Sequence, residues 1–139
     1  MPIQNIYHDA VRNALQRDEW TITLEPVYLP FDGFRLEADF AAQKTTATEE
    51  LLEIVVEVKD FLNEDDIYEN CFPTALGQYM SCAHVLNGSH PTRRLYLAIS
   101  EHIYNSFFTL PDVVGVTGKH HLKLLIFDPT TETIVAWKH

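Results

Sequence analysis

The run Leu51-Leu52-Glu53-Ile54-Val55-Val56-Glu57-Val58-Lys59 constrains this chain more than any other segment. Its β-branched density and period of two predict a strand over 51–59. Alternate side chains share a face, so Leu52, Ile54, Val56 and Val58 form an apolar face of pure core. Leu51, Glu53, Val55, Glu57 and Lys59 occupy the other face. A carboxylate and an ammonium side by side at the end of a mostly apolar strand are costly if buried and unpaired, so Glu57 and Lys59 need a partner.

The rest of the chain supplies that sheet. Residues 5–18 read as a helix with Tyr7, Ala10, Val11, Ala14 and Leu15 on one stripe and Asn5 as its N-cap. Strands are predicted at 20–24 and 34–40, with a short extended piece at 27–30 and a hairpin-type turn at Asp32-Gly33. A helix is expected from Pro73 to Leu86, ended by Asn87-Gly88. Further strands are expected at 94–100, 122–127 and 133–137. A short helix capped near Ser100 spans 101–109, a loop or brief helix 110–119, and Asp128-Pro129 turns the last hairpin. The order α-β-β-β-α-β-α-β-β implies an α/β (α+β mixed) domain, a central mixed sheet with helices against it.

Composition narrows the function. The 139 residues fit a single domain, 1–139, able to bury roughly two-thirds of its unfolded surface. Ten Lys and Arg against twenty Asp and Glu leave a net charge of −10. That excludes life by non-specific contact with nucleic acid or anionic membranes, but not a nucleic-acid enzyme whose basic groups are local or lent by a partner. Residues 49–69 hold nine acids and one lysine, a candidate partner-docking face or simply a solvated one. Two cysteines, Cys71 and Cys82, without CxxC spacing, read as buried thiols in a reducing cytoplasm. Met1-Pro2-Ile3-Gln4-Asn5 lacks signal-peptide character, and no apolar run approaches the ~20 residues that span a bilayer.

Chemistry centres on Asp39, 18 residues before Glu57. If the strands carrying them are adjacent and antiparallel, the two carboxylates can converge. Two hard-oxygen ligands suit Mg²⁺, which keeps several waters, and a nearby lysine can orient a water or stabilise phosphate charge. The reaction suggested is metal-assisted phosphodiester hydrolysis. The competing reading makes Glu57 and Lys59 a same-face ion pair worth about 0–1 kcal/mol.

Asp39…Glu57-Val58-Lys59 after a first helix resembles the core of the PD-(D/E)XK nuclease superfamily. The chain as a whole resembles the XisH family, cyanobacterial controlling factors for excision of a DNA element. The matching stretches are Ile6-Tyr7-His8-Asp9-Ala10-Val11-Arg12-Asn13-Ala14-Leu15, Trp20-Thr21-Ile22-Thr23 and Val55-Val56-Glu57-Val58-Lys59-Asp60-Phe61. They continue through Ala75-Leu76-Gly77-Gln78-Tyr79, Tyr96-Leu97-Ala98-Ile99, Ser106-Phe107-Phe108 and Ile126-Phe127-Asp128-Pro129. The family's usual Asp-Leu-Gly-Ala-Glu segment reads Asp39-Phe40-Ala41-Ala42-Gln43 here, without the glycine and the acid.

The resemblance implies a restriction-endonuclease-like three-layer fold, a role in DNA rearrangement and a small companion protein, XisI, through which DNA could be engaged. It also implies Asp39 and Glu57 as ligands of Mg²⁺ (with Mn²⁺ as substitute), Lys59 as the catalytic lysine and Gln78 as a supporting residue on the second helix. The alternative is a non-catalytic accessory protein that regulates a recombinase. A third reading is a toxin-like nuclease silenced by its companion. No membrane partner is expected, and self-association stays open.

Two residues, His8 and Gln78, carry two readings each. His8, beside the apolar stripe of the first helix, is either a site neighbour or a satisfied helix-flank residue. Gln78 could orient Lys59 or a phosphate, or lie on bare helix surface. Tyr79 reads as core, Arg93-Arg94 as a phosphate contact. His120-His121 points to opposite faces and makes no zinc case.

Overall fold

The computed structural model describes residues 6–61 and 71–139. Asn5, the expected N-cap, and residues 62–69 of the acidic stretch lie outside them. The chain runs α1 (His8–Arg17), β1 (Thr21–Leu24), β2 (Val27–Phe31), β3 (Phe34–Ala38), β4 (Phe40–Thr45), β5 (Leu51–Val58) and α2 (Phe72–Ser89). It continues through β6 (Arg93–Ser100), α3 (Glu101–Ile103), a π-helical turn (Tyr104–Phe108), α4 (Pro111–Lys119), β7 (Leu124–Asp128) and β8 (Thr133–Lys138).

Six strands form one sheet in the order β1-β4-β5-β6-β7-β8, and β2 and β3 form a separate hairpin. β5, β6 and β7 run parallel, while the other neighbours pair antiparallel. The strands at the centre are apolar on both faces, as buried sheets require. On one face, Val11 and Leu15 of α1 pack against Phe40, Ile54, Val56, Val58, Tyr96, Ala98, Leu125 and Phe127. On the other, Val55, Leu95, Leu97, Ile99 and Ile126 meet Ala75, Tyr79, Cys82 and Leu86 of α2, Phe107 and Phe108 of the π turn, and Val113 of α4. The result is the expected three-layer arrangement. Leu97 and Phe127 are fully buried, each worth about 1.5–3 kcal/mol of transfer free energy.

The structure departs from the expected elements chiefly around Asp39 and at the end of the second helix. The expected strand 34–40 is broken at Asp39: β3 pairs with β2 from Phe34 to Ala38, and β4 pairs with β5 from Phe40 onward. Asp39 is the pivot where the chain leaves the hairpin for the main sheet. β4 itself went unpredicted because Ala41-Ala42-Gln43-Lys44 holds no β-branched residue, and its strand state comes from pairing on both sides. The second helix does not stop at Asn87-Gly88 but runs to Ser89, where His90 N–H donates to Leu86 O at 2.7 Å. The Asp32-Gly33 turn forms as expected, with φ of 46° and 80°, values that suit glycine and tolerate aspartate. Ser100 caps α3, its Oγ accepting from Ile103 N–H at 3.3 Å.

Candidate functional site

The site lies where β4 begins and β5 ends. Antiparallel pairing sets Phe40 opposite Val56, which brings Asp39 beside Glu57 and Val58. Asp39 N–H donates to Val56 O at 3.0 Å, and Asp39 Oδ2 accepts from Val58 N–H at 2.7 Å. The carboxylate thus takes the place of the next rung of the ladder. One residue further, Lys59 N–H donates to Ala98 O of β6 at 3.0 Å, so the backbone bearing the lysine is fixed from the opposite side.

Glu57 is 4% exposed. Its Oε1 lies 3.7 Å from Lys59 Nζ, and its Oε2 has no hydrogen-bond partner among the described residues. Burial pushes the Glu57 carboxyl up to about 7; Lys59 pulls it down and the Asp39 charge pushes it up. A buried acceptor without a donor is expensive, and a bound cation would satisfy it. Asp39 keeps spare acceptor capacity too, since each carboxylate oxygen has two lone pairs. Two carboxylates with waters are a donor set that fits a small, hard divalent cation. Among the described residues, no larger group of His, Cys, Asp and Glu is arranged to hold a metal.

His8 joins the site from α1. Its Nδ1 lies 3.0 Å from Asp39 Oδ1 and its Nε2 2.9 Å from Glu25 Oε2, while its ring packs on Phe40 with centroids 4.5 Å apart. Glu25 is held in turn by Arg12, whose Nε donates to Oε1 at 3.0 Å and whose Nη2 donates to Oε2. The Arg12 guanidinium holds the Glu25 carboxyl down at about 2. Of the two readings the sequence left open for His8, the contact with Asp39 supports the site neighbour; the parts of Glu25 and Arg12 are not read from the sequence. The spacing of His8 and Arg12, four residues apart on one helical face, was the available signal; nothing local marks Glu25.

The structure brings together Asp39, Glu57, Lys59 and His8. Gln78 sits on α2 and is exposed, and no hydrogen bond ties it to Asp39, Glu57 or Lys59. Tyr79 is core, as expected: its hydroxyl donates to Leu95 O at 3.0 Å and accepts from Lys123 N–H at 3.1 Å. Arg93 pairs with Glu53 at 3.2 Å. Its register partner is Glu53 while Ala98 faces Val58, so it stands about 16 Å along the sheet from the site at 3.3 Å per residue. Cys82 is a buried thiol pushed up to about 12 by burial and by Glu57, an inert group. No helix among the described residues is long and apolar enough to cross a membrane.

The family model of the XisH protein matches residues 1–135. The crystal structure of an XisH family protein from Nostoc punctiforme PCC 73102 is similar, with 34% identity over 97% of this chain and 100% of that one, at a TM-score of 0.83. That of an FdxN element excision controlling factor protein from Anabaena variabilis is 33% identical over 98% of this chain and 100% of that one, at a TM-score of 0.86. No curated protein matches the chain.

Proposed function

The chain belongs to the XisH family, and from that premise we propose that it is an element-excision controlling factor with a PD-(D/E)XK-type nuclease centre. Its reaction is Mg²⁺-dependent hydrolysis of DNA phosphodiesters, coupled to site-specific rearrangement. The observation that carries this reading is Glu57, a buried carboxylate with one oxygen unpartnered, set beside Asp39 and Lys59. Such a group weakens the fold, a cost that functional sites carry.

In this reading Asp39 and Glu57 hold the cation, which when bound supplies charge neutralisation for the scissile phosphate. Lys59, 28% exposed at its side chain, reaches from the buried carboxylate toward solvent. There it orients the attacking water and stabilises the developing charge on the phosphoryl oxygens. Asp39 is held by the Val58 N–H and His8, so its carboxylate needs little reorganisation on binding.

A net charge of −10 opposes DNA approach. A small XisI-like companion bringing positive charge would resolve this, so the protein acts within a complex. That same acidity favours a second reading, an accessory protein that regulates a recombinase without turnover. Incubating supercoiled and branched DNA with Mg²⁺ and the protein, with and without the companion, separates the two. The nuclease reading expects nicking that Lys59→Met abolishes. Full DNA binding by the complex with no cleavage in Mg²⁺ or Mn²⁺ would favour the accessory reading.

A further inference from the structure

The Asp39 carboxylate is gripped at both oxygens, by the Val58 N–H on Oδ2 and by the His8 ring on Oδ1. A backbone donor alone would leave the plane of the carboxylate free to rotate; contacts from two different elements fix it. The ring that makes the second grip is itself fixed twice, by Glu25 at its far nitrogen and by the Phe40 ring against its face. Glu25 is fixed by two nitrogens of Arg12, and Arg12 by Asp9 at 2.8 Å. A continuous polar chain, Asp9–Arg12–Glu25–His8–Asp39, thus runs from the exposed flank of α1 to the edge of the site.

We infer that His8, oriented by Glu25 and Arg12, is a positioning residue that fixes the Asp39 carboxylate for cation binding. The inference rests on the reading of Asp39 and Glu57 as cation ligands. Groups that hydrogen-bond a ligating carboxylate set its orientation, and their loss commonly costs about 10- to 100-fold in metal affinity. A histidine that merely tied α1 to the sheet would affect stability and leave the affinity of the folded protein alone.

The test is calorimetric titration of Mn²⁺ into the wild type and into His8→Phe, His8→Asn and Glu25→Gln, each first shown to melt cooperatively. His8→Phe keeps a ring on Phe40 and removes both polar contacts; a loss of about 10- to 100-fold in affinity is expected. His8→Asn sets an amide nitrogen where Nδ1 stands and should recover affinity to within about threefold of wild type. Glu25→Gln leaves the His8–Asp39 contact but loosens the ring, and should fall between wild type and His8→Phe. Wild-type affinity in His8→Phe, or equal weakening in His8→Phe and His8→Asn, would overturn the inference. Should His8→Phe fail to fold, unchanged affinity in the partly exposed Glu25→Gln would overturn it instead. Absence of Mn²⁺ binding by the wild type is a separate result, which removes the cation reading and this inference with it.

Discussion

Glu57→Gln should make this protein more stable at pH 8 than at pH 5, relative to wild type. The Glu57 carboxyl titrates near 7 in the folded chain against 4.5 as its ordinary value, with burial the largest cause. Between those values the native state holds a proton that the unfolded chain has released. Stability therefore falls as pH rises from about 4.5 through 7 and levels off above. At 1.36 kcal/mol per factor of ten, ionised Glu57 costs the folded state roughly 3 kcal/mol at pH 8 and under about 1 kcal/mol at pH 5. Glutamine carries no such cost at either pH. The stability difference between variant and wild type should thus shift by about 2 kcal/mol in favour of the variant between pH 5 and pH 8. Titrating groups away from Glu57 are common to both proteins and cancel. Urea unfolding in the presence of a chelator measures it, and about 2 kcal/mol moves the midpoint by about 1 M at typical slopes. An identical difference at both pH values would refute the argument that Glu57 is a desolvated, unsatisfied carboxylate.

Three further substitutions probe the surroundings of that group. Lys59→Met removes the cation 3.7 Å from Glu57 and should destabilise by about 1–2 kcal/mol at pH 8, less than a fully buried pair because the lysine is part exposed; the loss should shrink at pH 5, read by the same unfolding curves. Asp39→Ala strands the Val58 N–H now bonded at 2.7 Å and should cost about 1–3 kcal/mol. Asp39→Asn keeps an acceptor there and should cost less, a comparison that separates the carboxylate's fold role from its charge. Tyr79→Phe leaves Leu95 O and Lys123 N–H without their shared partner. It should lower stability by about 1–3 kcal/mol in thermal or urea melts while leaving Mn²⁺ binding untouched.

Much of this architecture was legible in the sequence because its strongest signals are local. The 51–59 run reads as a strand from its own β-branched residues, and the short apolar runs at 94–100 and 122–127 read as buried strands, which the structure places at Arg93–Ser100 and Leu124–Asp128. Asp32-Gly33 names its own turn. β4 was illegible because Ala41-Ala42-Gln43-Lys44 has no preference of its own and becomes a strand only between two others. That omission hid the true position of Asp39, which stands at the junction of two sheets rather than inside one strand. The approach of Asp39 to Glu57 depended on an antiparallel register that spacing could suggest but not fix. Glu25 was beyond reach altogether, since its bond to His8 joins a loop to a helix 17 positions away. Gln78 was drawn in by position in the matching family pattern, and its exposed place on α2 is not joined to the triad by any hydrogen bond.

The proposed centre requires Asp39 and Glu57 to form one cation site, and a titration of Mn²⁺ into the purified protein at pH 8, followed by calorimetry, tests that directly. Saturable binding by the wild type, lost in both Asp39→Asn and Glu57→Gln while each variant still unfolds cooperatively, is the predicted result. Binding that survives either substitution unchanged would contradict it, placing any cation elsewhere and leaving Glu57 a buried carboxylate without a ligand to hold.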